Sequence, residues 1–551
     1  MAIIPTQSKY PDRAGYLGLD TDRNVLVGMS DGILQDMTHS TPEGWINVED
    51  FGAVGDGITD DTLAFQAISD YVNAKGYGVI NFGYNKVYRV GRQTFTGVAD
   101  GAAYASQKML YFNNCKFIII NGNGSTLKLN DGLHYGSFDP VTGEVYNPPS
   151  GLFTDYNYAA TIGNIVEIRA SRNIIISNLN IDGNSDNIIV GGRWGDYGIQ
   201  LHAHGLSLKW TSNIFINNVH SSYNGLDGLC LKGNRLTENA IGSDNIFIVN
   251  SKFEYNGRQG VSIGGGKGIK FINCLFSNTG QGAIFSPPGD GVDIEPNIGE
   301  FAQNISFDNC LFENNRNIGL HYFSRAKNII ANHCEFWGGF ENSGQPIYFD
   351  HSNGSQILNS KIHGAIRYLV GVTIQNCKID DAIHPTYGQS GLNDIYLLTY
   401  TWHSTFNNCI IERTAPNYRF VDIHGPTKFI DCTFNYKGDF TESQISNFNN
   451  STVINCIFQD DVIDKNKTFF HWAANENLFF NTKNLGPNVF IEGLNTGANI
   501  GEIPSNMNTV WNSGNTRPTE PQIGQRFFDT TLGKPIWFNG TDWIDATGTP
   551  V

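Results

Sequence analysis

Asn309-Cys310-Leu311-Phe312 is followed 24 residues later by His333-Cys334-Glu335-Phe336, and this four-residue phrase recurs along much of the chain. Eight of the nine cysteines stand in such a phrase, each two residues before Phe or Ile. The other copies begin at Asn114, Asn273, Asn376, Asn408, Asp431 and Asn455. Residues two apart in a strand point to the same side, and both Cys and Phe prefer burial. The phrase therefore predicts an inward-facing pair that follows a turn.

The spacing of the phrase predicts that its copies stack. Cysteines 310 and 334, 409 and 432, and 432 and 456 are 23 or 24 residues apart. A repeat of this size cannot bury its own apolar face, so neighbouring copies must cover one another. Cysteine-free versions at Asn178, Asn250 and Asn359 fill some of the wider gaps. We expect the cysteines of the phrase to be structural.

A second pattern, a glycine followed by alternating apolar and variable residues, supports the stack. It occurs at Gly198–His202, Gly228–Lys232, Gly260–Gly264, Gly291–Glu295 and Gly319–Phe323. Alternation with a period of two is typical of a strand with one buried face. Two recurring strand patterns predict an all-β protein, a parallel β-helix solenoid.

Composition narrows the function classes. The 551 residues carry a formal net charge of −16, which disfavours nucleic acid and anionic membranes as partners. No apolar run is long enough to span a bilayer, so no membrane insertion is expected, and no secretory signal is visible. An odd number of cysteines without a C-x-x-C pair argues against a disulfide framework and a zinc ribbon.

A helix is predicted over residues 61–75, with Asp60 or Asp61 as its N-cap. Its apolar face is expected to hold Leu63, Ala64, Ala67, Ile68 and Tyr71. Such a helix would cap the open end of the solenoid, where an exposed sheet edge invites aggregation. The predicted organisation is an arm or linker at 1–45, the β-helix at 46–460, and a β-rich C-terminal module at 461–551 for trimerisation or carbohydrate binding.

The segment Asp50-Phe51-Gly52-Ala53-Val54-Gly55-Asp56-Gly57, with Thr59-Asp60-Asp61, resembles the opening of the right-handed, pectate-lyase-like β-helix of phage tailspikes and capsular polysaccharide depolymerases. Residues 523–537 and Asn539-Gly540-Thr541-Asp542-Trp543 resemble the terminal segment of many phage tail proteins. The resemblance implies a homotrimer in the virion tail, in contact with other phage tail proteins, acting on polysaccharide outside the host cell. Tailspikes usually carry a longer attachment region than the 45 residues found here, which leaves open a truncated N-terminus or attachment through another tail protein.

Hydrolysis of a glycosidic bond normally needs two carboxyl groups. Asp293 and Glu295 are predicted to project outward from one strand, roughly 6.5–7 Å apart. This distance lies between the separations of retaining and inverting enzymes, so it selects neither. The further catalytic candidates are Asp290, Glu254 and His321.

The glycine pattern also predicts which side chains flank the carboxylates. It aligns Gln200, Ser262 and His321 with Asp293, and it aligns His202 and Lys232 with Glu295. The candidates for substrate binding are His202, Lys232, Arg258, Tyr322 and Tyr348. Polar residues are also the default on any solvated β-helix face. No metal site is predicted, and His202 with His204 is interpreted as a polar patch.

These residues favour an endo-acting glycoside hydrolase that needs no cofactor and cuts a bacterial capsular polysaccharide or exopolysaccharide. Two alternatives stay open. A polysaccharide lyase would use a basic residue such as Lys232, Arg258 or His321, with Ca²⁺ neutralising a uronate. A receptor-binding spike would hold the polymer in the same groove without cutting it.

Overall fold

Each sequence repeat forms three short strands separated by sharp bends, as in Gln259–Ile263, Gly266–Ile272 and Leu275–Ser277, and each strand pairs in parallel with its counterpart in the next repeat. The computed structural model describes residues 17–20, 25–30, 33–36 and 45–551, with gaps in the last range. The gaps are 98–101, 150, 196–197, 234–242, 297–299, 324, 341–344, 353, 389–395, 415–418, 438–446, 449–450, 461–477, 481–482, 485–512, 520, 522–525 and 546. The chain divides into two units, Met1–Gly364 with Ile383–Asn393, and Ala365–Ala382 with Asp394–Val551.

In the first unit, the strands that open each repeat pair in parallel and form a surface that we call sheet A. Its strands are Leu110–Asn113, Val166–Arg169, Leu206–Lys209, Asp227–Lys232, Gln259–Ile263, Asp290–Ile294, Leu320–Tyr322 and Ile347–Phe349. The prediction that Gly198–His202 belongs to this column is wrong. Leu206–Lys209 pairs with Leu229–Lys232 instead, although Ile199 and Leu201 are buried as the alternation suggested.

The other two strands of each repeat form sheet B, which has two columns. The first column contains Trp45–Asn47, Tyr77–Asn81, Phe117–Asn121, the start of Arg172–Asp182, the start of Ser212–Ser222, Asp244–Val249, Gly266–Ile272, Ala302–Asp308, Ala326–Asn332 and Ser355–Leu358. The second contains Asp56–Asp60, Val87–Val90, Thr126–Leu129, the ends of those two long strands, Lys252–Glu254, Leu275–Ser277, Leu311–Glu313, Glu335–Trp337 and Lys361–His363.

The cysteine phrase marks the bend between the two columns of sheet B. The residue before each of the eight cysteines has a positive φ, which Asn tolerates better than most residues. Asn side chains of successive bends bond to one another, as in the 2.8 Å bond that Asn309 donates to Asn273. All nine cysteines are buried and free. Phe312 lies between Phe276 and Phe336, with ring centroids 4.8 and 4.7 Å away. The predicted inward pair and its turn are confirmed.

The predicted helix spans Thr62–Lys75, with Asp61 at its N-cap. Its buried face differs from the predicted one. Ala64 and Ile68 are buried as expected, but Leu63 and Ala67 are exposed, and Phe65 and Val72 are buried instead. The helix side chains Gln66 and Asn73 bond to the backbone of residues 108–113, beside the first strand of sheet A. The helix thus covers the edge of sheet A.

Smaller elements complete the first unit. An antiparallel sheet near the N-terminus contains Leu17–Asp20, Val25–Ser30 and Ile33–Asp36. A five-stranded side sheet contains Gln93–Phe95, Tyr104–Ser106, His134–Ser137, Ala159–Ala160 and Ile189–Val190. Short 3-10 helices span Val48–Phe51, Tyr156–Tyr158 and Ser185–Asn187.

The second unit is also built from parallel strands and ends in a small sheet. Its parallel strands are Leu369–Val370, Val372–Gln375, Lys378–Asp380, Tyr396–Thr399, Thr401–Trp402, Thr405–Asn407, Ile410–Arg413, Arg419–Ile423, Thr427–Ile430, Thr433–Tyr436, Asn447–Phe448, Ser451–Ile454, Ile457–Asp460, Leu478–Phe480 and Lys483–Asn484. The small sheet contains Ser513–Gly514, Arg526–Asp529, Lys534–Phe538 and Trp543–Ile544. Among the described residues, no helix is long and apolar enough to cross a membrane. The predicted division of the chain at 45 and 460 stays a prediction.

Candidate active site

The outward face of sheet A carries two columns of polar side chains that run across neighbouring strands. Asp227, Gln259 and Asp290 are register partners in one column. The other column contains Cys230, Ser262, Asp293, His321 and Tyr348. Leu229, Val261 and Val292, which lie between the two columns in the sequence, are buried in the apolar core, whereas donor atoms of Asp290 and Asp293 lie within 4.8 Å of each other. The parallel register therefore concentrates acids, a histidine and amides on one surface.

Asp293 lies at the centre of this surface and is 4% exposed. Its Oδ2 accepts a hydrogen bond from Gln259 Nε2. Its Oδ1 has no hydrogen-bond partner among the described residues. Burial, together with the charges of Asp290 and Glu295, raises the pKa of Asp293 to about 7, against the opposing effect of His321 and Arg258. Asp293 is thus a carboxyl group that can hold a proton near neutral pH.

Asp290 and His321 form a buried pair beside Asp293. The Oδ2 of Asp290 lies 2.7 Å from His321 Nδ1. Its Oδ1 accepts hydrogen bonds of 2.9 Å from Asn317 Nδ2 and from the backbone N–H of Ile318. Burial alone would lower the pKa of His321, but the bond to Asp290 and the nearby carboxylates raise it. The pair therefore favours a protonated, fixed imidazole.

Glu295 and two aromatic rings border the buried groups on the solvent side. Glu295 is exposed and directly follows the strand that ends at Ile294. Its backbone N–H still bonds to the carbonyl of Ile263 on the neighbouring strand, so alternation places its carboxylate on the same face of the sheet as Asp293, on whose pKa its charge acts. The His321 ring lies 4.2 Å from the ring of Phe323 and 4.9 Å from that of Tyr348. A sugar bound over Asp293 would therefore contact Glu295 and the two aromatic rings at the same time.

A second buried cluster adjoins the first along sheet A. Arg258 donates two hydrogen bonds, of 2.8 and 2.6 Å, to the carboxylate of Asp227, which is fully buried. His204 Nδ1 lies 3.2 Å from the same carboxylate. Burial alone would raise the pKa of Asp227, but Arg258 and His204 hold this pKa well below its usual range. The charge of Arg258 also reaches Asp293, so this cluster affects the proton on Asp293.

Two groups on sheet A contain residue types that bind metals. The donor atoms of Asp290, Asp293 and His321 lie within 4.8 Å of one another, and so do those of His204, Asp227 and Cys230. Ca²⁺ requires six to eight oxygen ligands. Asp290 already bonds to Asn317, Ile318 and His321. Among the described residues, the first group therefore offers two carboxylates to such an ion, and the remaining oxygens of a calcium shell would have to come from water or a bound ligand.

The structure brings together only some of the predicted site residues. Asp293, Asp290, His321, Glu295 and Tyr348 surround one point on sheet A, and Arg258 acts on it through charge. Lys232 ends a sheet A strand two strands from that of Asp293. His202 lies outside the sheet A strands but near Lys232, because burial and the charges of His204, Lys209 and Lys232 lower the pKa of His202 to about 4.

Three predictions differ from the structure. Glu254 lies on sheet B, where it pairs with His220 at 3.0 Å and accepts a bond from Ser277, so it is not part of the Asp293 cluster. Tyr322 is fully buried and stacks on Phe349, so it cannot contact a sugar. Gln200 and His202 are not aligned with Asp293 and Glu295, because their segment lies outside sheet A.

Gln259 and Asn317 were not predicted as site residues, whereas Asp227 was expected only near the turns that lead into the site and His204 only in a polar patch. Gln259 and Asp227 precede the glycine of the alternating pattern by one residue, as Asp290 does. That shared position was a usable signal, since Asp290 was itself a candidate. Nothing in the local sequence indicated that Asn317 or His204 would face the carboxylates.

Residues 164–362, about a third of the chain, match the family model described as "Right handed beta helix region". Two curated proteins of Azotobacter vinelandii are similar to shorter segments. Alginate lyase 7 is 33% identical over 142 residues, which are 26% of this chain and 13% of that protein. Mannuronan C5-epimerase AlgE6 is 27% identical over 201 residues, which are 33% of this chain and 20% of that protein. The chain thus spans a fifth or less of the length of these relatives.

Among solved structures, a tailspike protein from Acinetobacter baumannii bacteriophage Fri1, described as a capsular polysaccharide depolymerase, is similar with a TM-score of 0.34 and 13% identity. The likeness covers 82% of this chain and 64% of that one. The matched family model spans most strands of sheet A, including those that carry Asp290, Asp293 and His321. Residues 164–362 are therefore a right-handed β-helix region, and the candidate active site lies within it.

Proposed function

We propose that sheet A binds a bacterial capsular polysaccharide or exopolysaccharide and hydrolyses it at internal glycosidic bonds. Asp293 is the general acid that protonates the leaving oxygen, and Glu295 is the second carboxylate, which activates water or attacks the sugar. One observation carries the proposal: two carboxyl groups on one strand face have opposite environments, Asp293 buried and Glu295 exposed. Such a difference in environment is how acid and base roles are divided between carboxyl groups.

The remaining groups of the cluster support these two roles. Asp290 fixes His321 through its Oδ2, and its other oxygen is held by Asn317 and Ile318. A fixed imidazolium beside Asp293 stabilises negative charge on that carboxyl group after it has given up its proton. Gln259 orients Asp293 by a hydrogen bond. The four side chains thus act as one preorganised unit.

The setting that we propose is a phage tailspike. The segment at Asp50–Asp61 supports it, because it resembles the opening of tailspike β-helices. The similarity to an alginate lyase and to a mannuronan C5-epimerase supports a polysaccharide as the substrate. In this setting the protein is a homotrimer of the virion tail, contacts other tail proteins and acts on the host cell surface.

The proposal is tested by incubating the purified protein with a panel of bacterial capsular polysaccharides and following polymer size by gel filtration. An endo-acting enzyme lowers the mean chain length of one polymer early in the reaction, before short products accumulate. If no polymer is shortened and one is only retained, the protein is a receptor-binding spike. If none is either shortened or bound, the proposal is wrong.

The pH dependence of cleavage should follow the proton on Asp293. Because its pKa is raised to about 7, the carboxyl group is protonated below this pH and ionised above it. A general acid must carry the proton, so kcat/KM should fall about tenfold per unit as the pH rises beyond about 7. A pH profile measured on the shortened polymer checks this. A rate that increases through the same range would contradict the assignment of Asp293.

A polysaccharide lyase is the second candidate, and the similarity to a protein named alginate lyase favours it. A lyase needs a neutral base near the proton that it removes from a uronate. The raised pKa of His321 counts against that role, because an imidazolium cannot accept a proton. Lys232 would remain as a base, but its strand lies two strands away from Asp293.

A further inference from the structure

Three basic side chains occupy the same position on three consecutive strands of sheet A. Arg169 pairs in register with Lys209, and Lys209 pairs in register with Lys232. The chain as a whole carries a net charge of −16, so a row of cations on its surface departs from the rest of the sequence. Equal register positions on neighbouring strands lie about 4.8 Å apart, so the row extends over about 10 Å.

The row is only partly neutralised by protein carboxylates. Glu167 lies 2.6 Å from Arg169 Nε and 3.5 Å from Lys209 Nζ. Lys232 has no carboxylate within ion-pair distance in the described part of the chain. Among the described residues, Glu167 is therefore the one carboxylate that pairs with the three cations, and the buried carboxylate of Glu300 lies nearby, beside Gly265 and Gly233. Like charges held at this spacing repel one another, and Lys209 is only 6% exposed, so the arrangement is costly without a bound anion.

An aromatic ring accompanies the cations. Trp210 is 41% exposed, and the guanidinium of Arg169 lies 6.0 Å from its ring centroid. The Trp210 Nε1–H donates a 2.9 Å hydrogen bond to the carbonyl of Gly233, which fixes the ring. An exposed, fixed indole beside cations suits a ligand with one apolar face and one negative group. A pyranose ring that bears an anionic substituent has this form.

The distance of the row from Asp293 indicates which part of a bound polysaccharide it would contact. The strand of Lys232 lies two strands from that of Asp293, and the strand of Arg169 lies four strands away. These separations correspond to about 10 and 19 Å along the stack. A polysaccharide laid along sheet A across Asp293 would therefore reach the cations a few sugar units from the bond that is cut.

We propose that Arg169, Lys209 and Lys232, with Trp210, form a subsite for an anionic sugar unit, so that the polysaccharide substrate is acidic. This inference rests on the proposed function in one respect: it assumes that the polysaccharide lies along sheet A across Asp293. The shared chemistry is a negative group on a pyranose, supplied by a uronic acid or by a phosphorylated sugar. Arg169 suits either, because its guanidinium can bond two oxygens of a carboxylate or phosphate.

The test is binding to an array of defined bacterial oligosaccharides that contains neutral, uronate-containing and phosphorylated members. The protein used is the full chain with Asp293→Asn, so that no ligand is cut. We expect binding to an acidic class and weakening at high salt. Adding Lys232→Gln should reduce affinity about tenfold or more, as expected for the loss of one charged hydrogen bond. Lys327→Gln, an exposed lysine on sheet B, is the matched control and should leave affinity unchanged.

A uronate ligand allows a stricter arm, in which its carboxylates are reduced to alcohols. Reducing the ligand's carboxylates should weaken its binding to the protein that keeps Lys232. The same reduction should have little effect on the affinity of the Lys232→Gln variant. Trp210→Ala gives a second variant if the lysine change alters folding. Preference for neutral oligosaccharides, or equal affinity with and without Lys232, overturns the inference. If acidic oligosaccharides bind but no polymer is cut, the proposed hydrolysis is wrong and the anionic subsite stands. If a neutral polymer is cut, hydrolysis stands and the anionic subsite is wrong.

Discussion

Replacing Asp293 by Asn is expected to reduce polysaccharide cleavage about 10³-fold, within the range typical of losing a general acid. Asn has the size of the protonated acid, so Gln259 can still donate to its side-chain oxygen, but it has no proton to give to a leaving oxygen. Binding of the polymer should therefore survive while kcat falls. The measurement is the initial rate of chain shortening, together with affinity for the uncut polymer.

The control for this change is Asp308→Asn. Asp308 lies on sheet B with a side chain 40% exposed, so its replacement makes the same Asp-to-Asn change far from any sugar on sheet A. It should leave the rate within about twofold, as for most surface substitutions. Equal losses in both variants would mean that net charge, and not the position of Asp293, determines the rate.

Replacing Asp227 by Ala is expected to destabilise the protein by about 3–5 kcal/mol, the cost of leaving a buried charge unpaired. Asp227 is fully buried and pairs with both Arg258 and His204, so the guanidinium would lose its counter-charge and the imidazole would lose its partner. Thermal unfolding measures the change as a lower Tm. Cleavage should also weaken, because the charge of Arg258 acts on Asp293.

Asp308→Ala is the matched control here as well, because Asp308 forms an acid–histidine pair with His333 at 3.7 Å on the surface. Its loss should cost less than about 1 kcal/mol. The double variant Asp227→Ala with Arg258→Leu should be more stable than Asp227→Ala alone, because it removes one of the stranded charges. If the double variant is less stable than the single one, the unpaired charge is not the cause.

Most of the solenoid could be predicted because its signals are local. Cys310 and Phe312 are two residues apart, which alone places them on one side of a strand, and Asn309 marks a bend that requires a positive φ. The segment that precedes the sheet A strand Leu206–Lys209 was not predicted correctly. Ile199 and Leu201 alternate and are buried, yet the ladder bonds belong to Leu206–Lys209. Alternation reports burial, and it does not fix which segment pairs.

The site residues that are close together in the sequence were predictable. Asp290 and Asp293 belong to a single strand, Glu295 directly follows that strand, and His321 was found through the neighbouring repeat. The burial of Asp293 was not predictable, since an outward position on a solenoid is normally solvated. It depends on groups from other repeats and loops, such as Gln259 and Asn317, whose approach to the site is set by the stacking.

The most direct test of the central claim is to cut the polysaccharide in water labelled with heavy oxygen and to weigh the products by mass spectrometry. Hydrolysis predicts that each cut adds one water, with one labelled oxygen at the new reducing end, and that Asp293→Asn slows the formation of these products about 10³-fold. Unlabelled fragments that carry the ultraviolet absorbance of an unsaturated uronate would contradict it. They would establish elimination, and the carboxyl pair on sheet A would not be the machinery of cleavage.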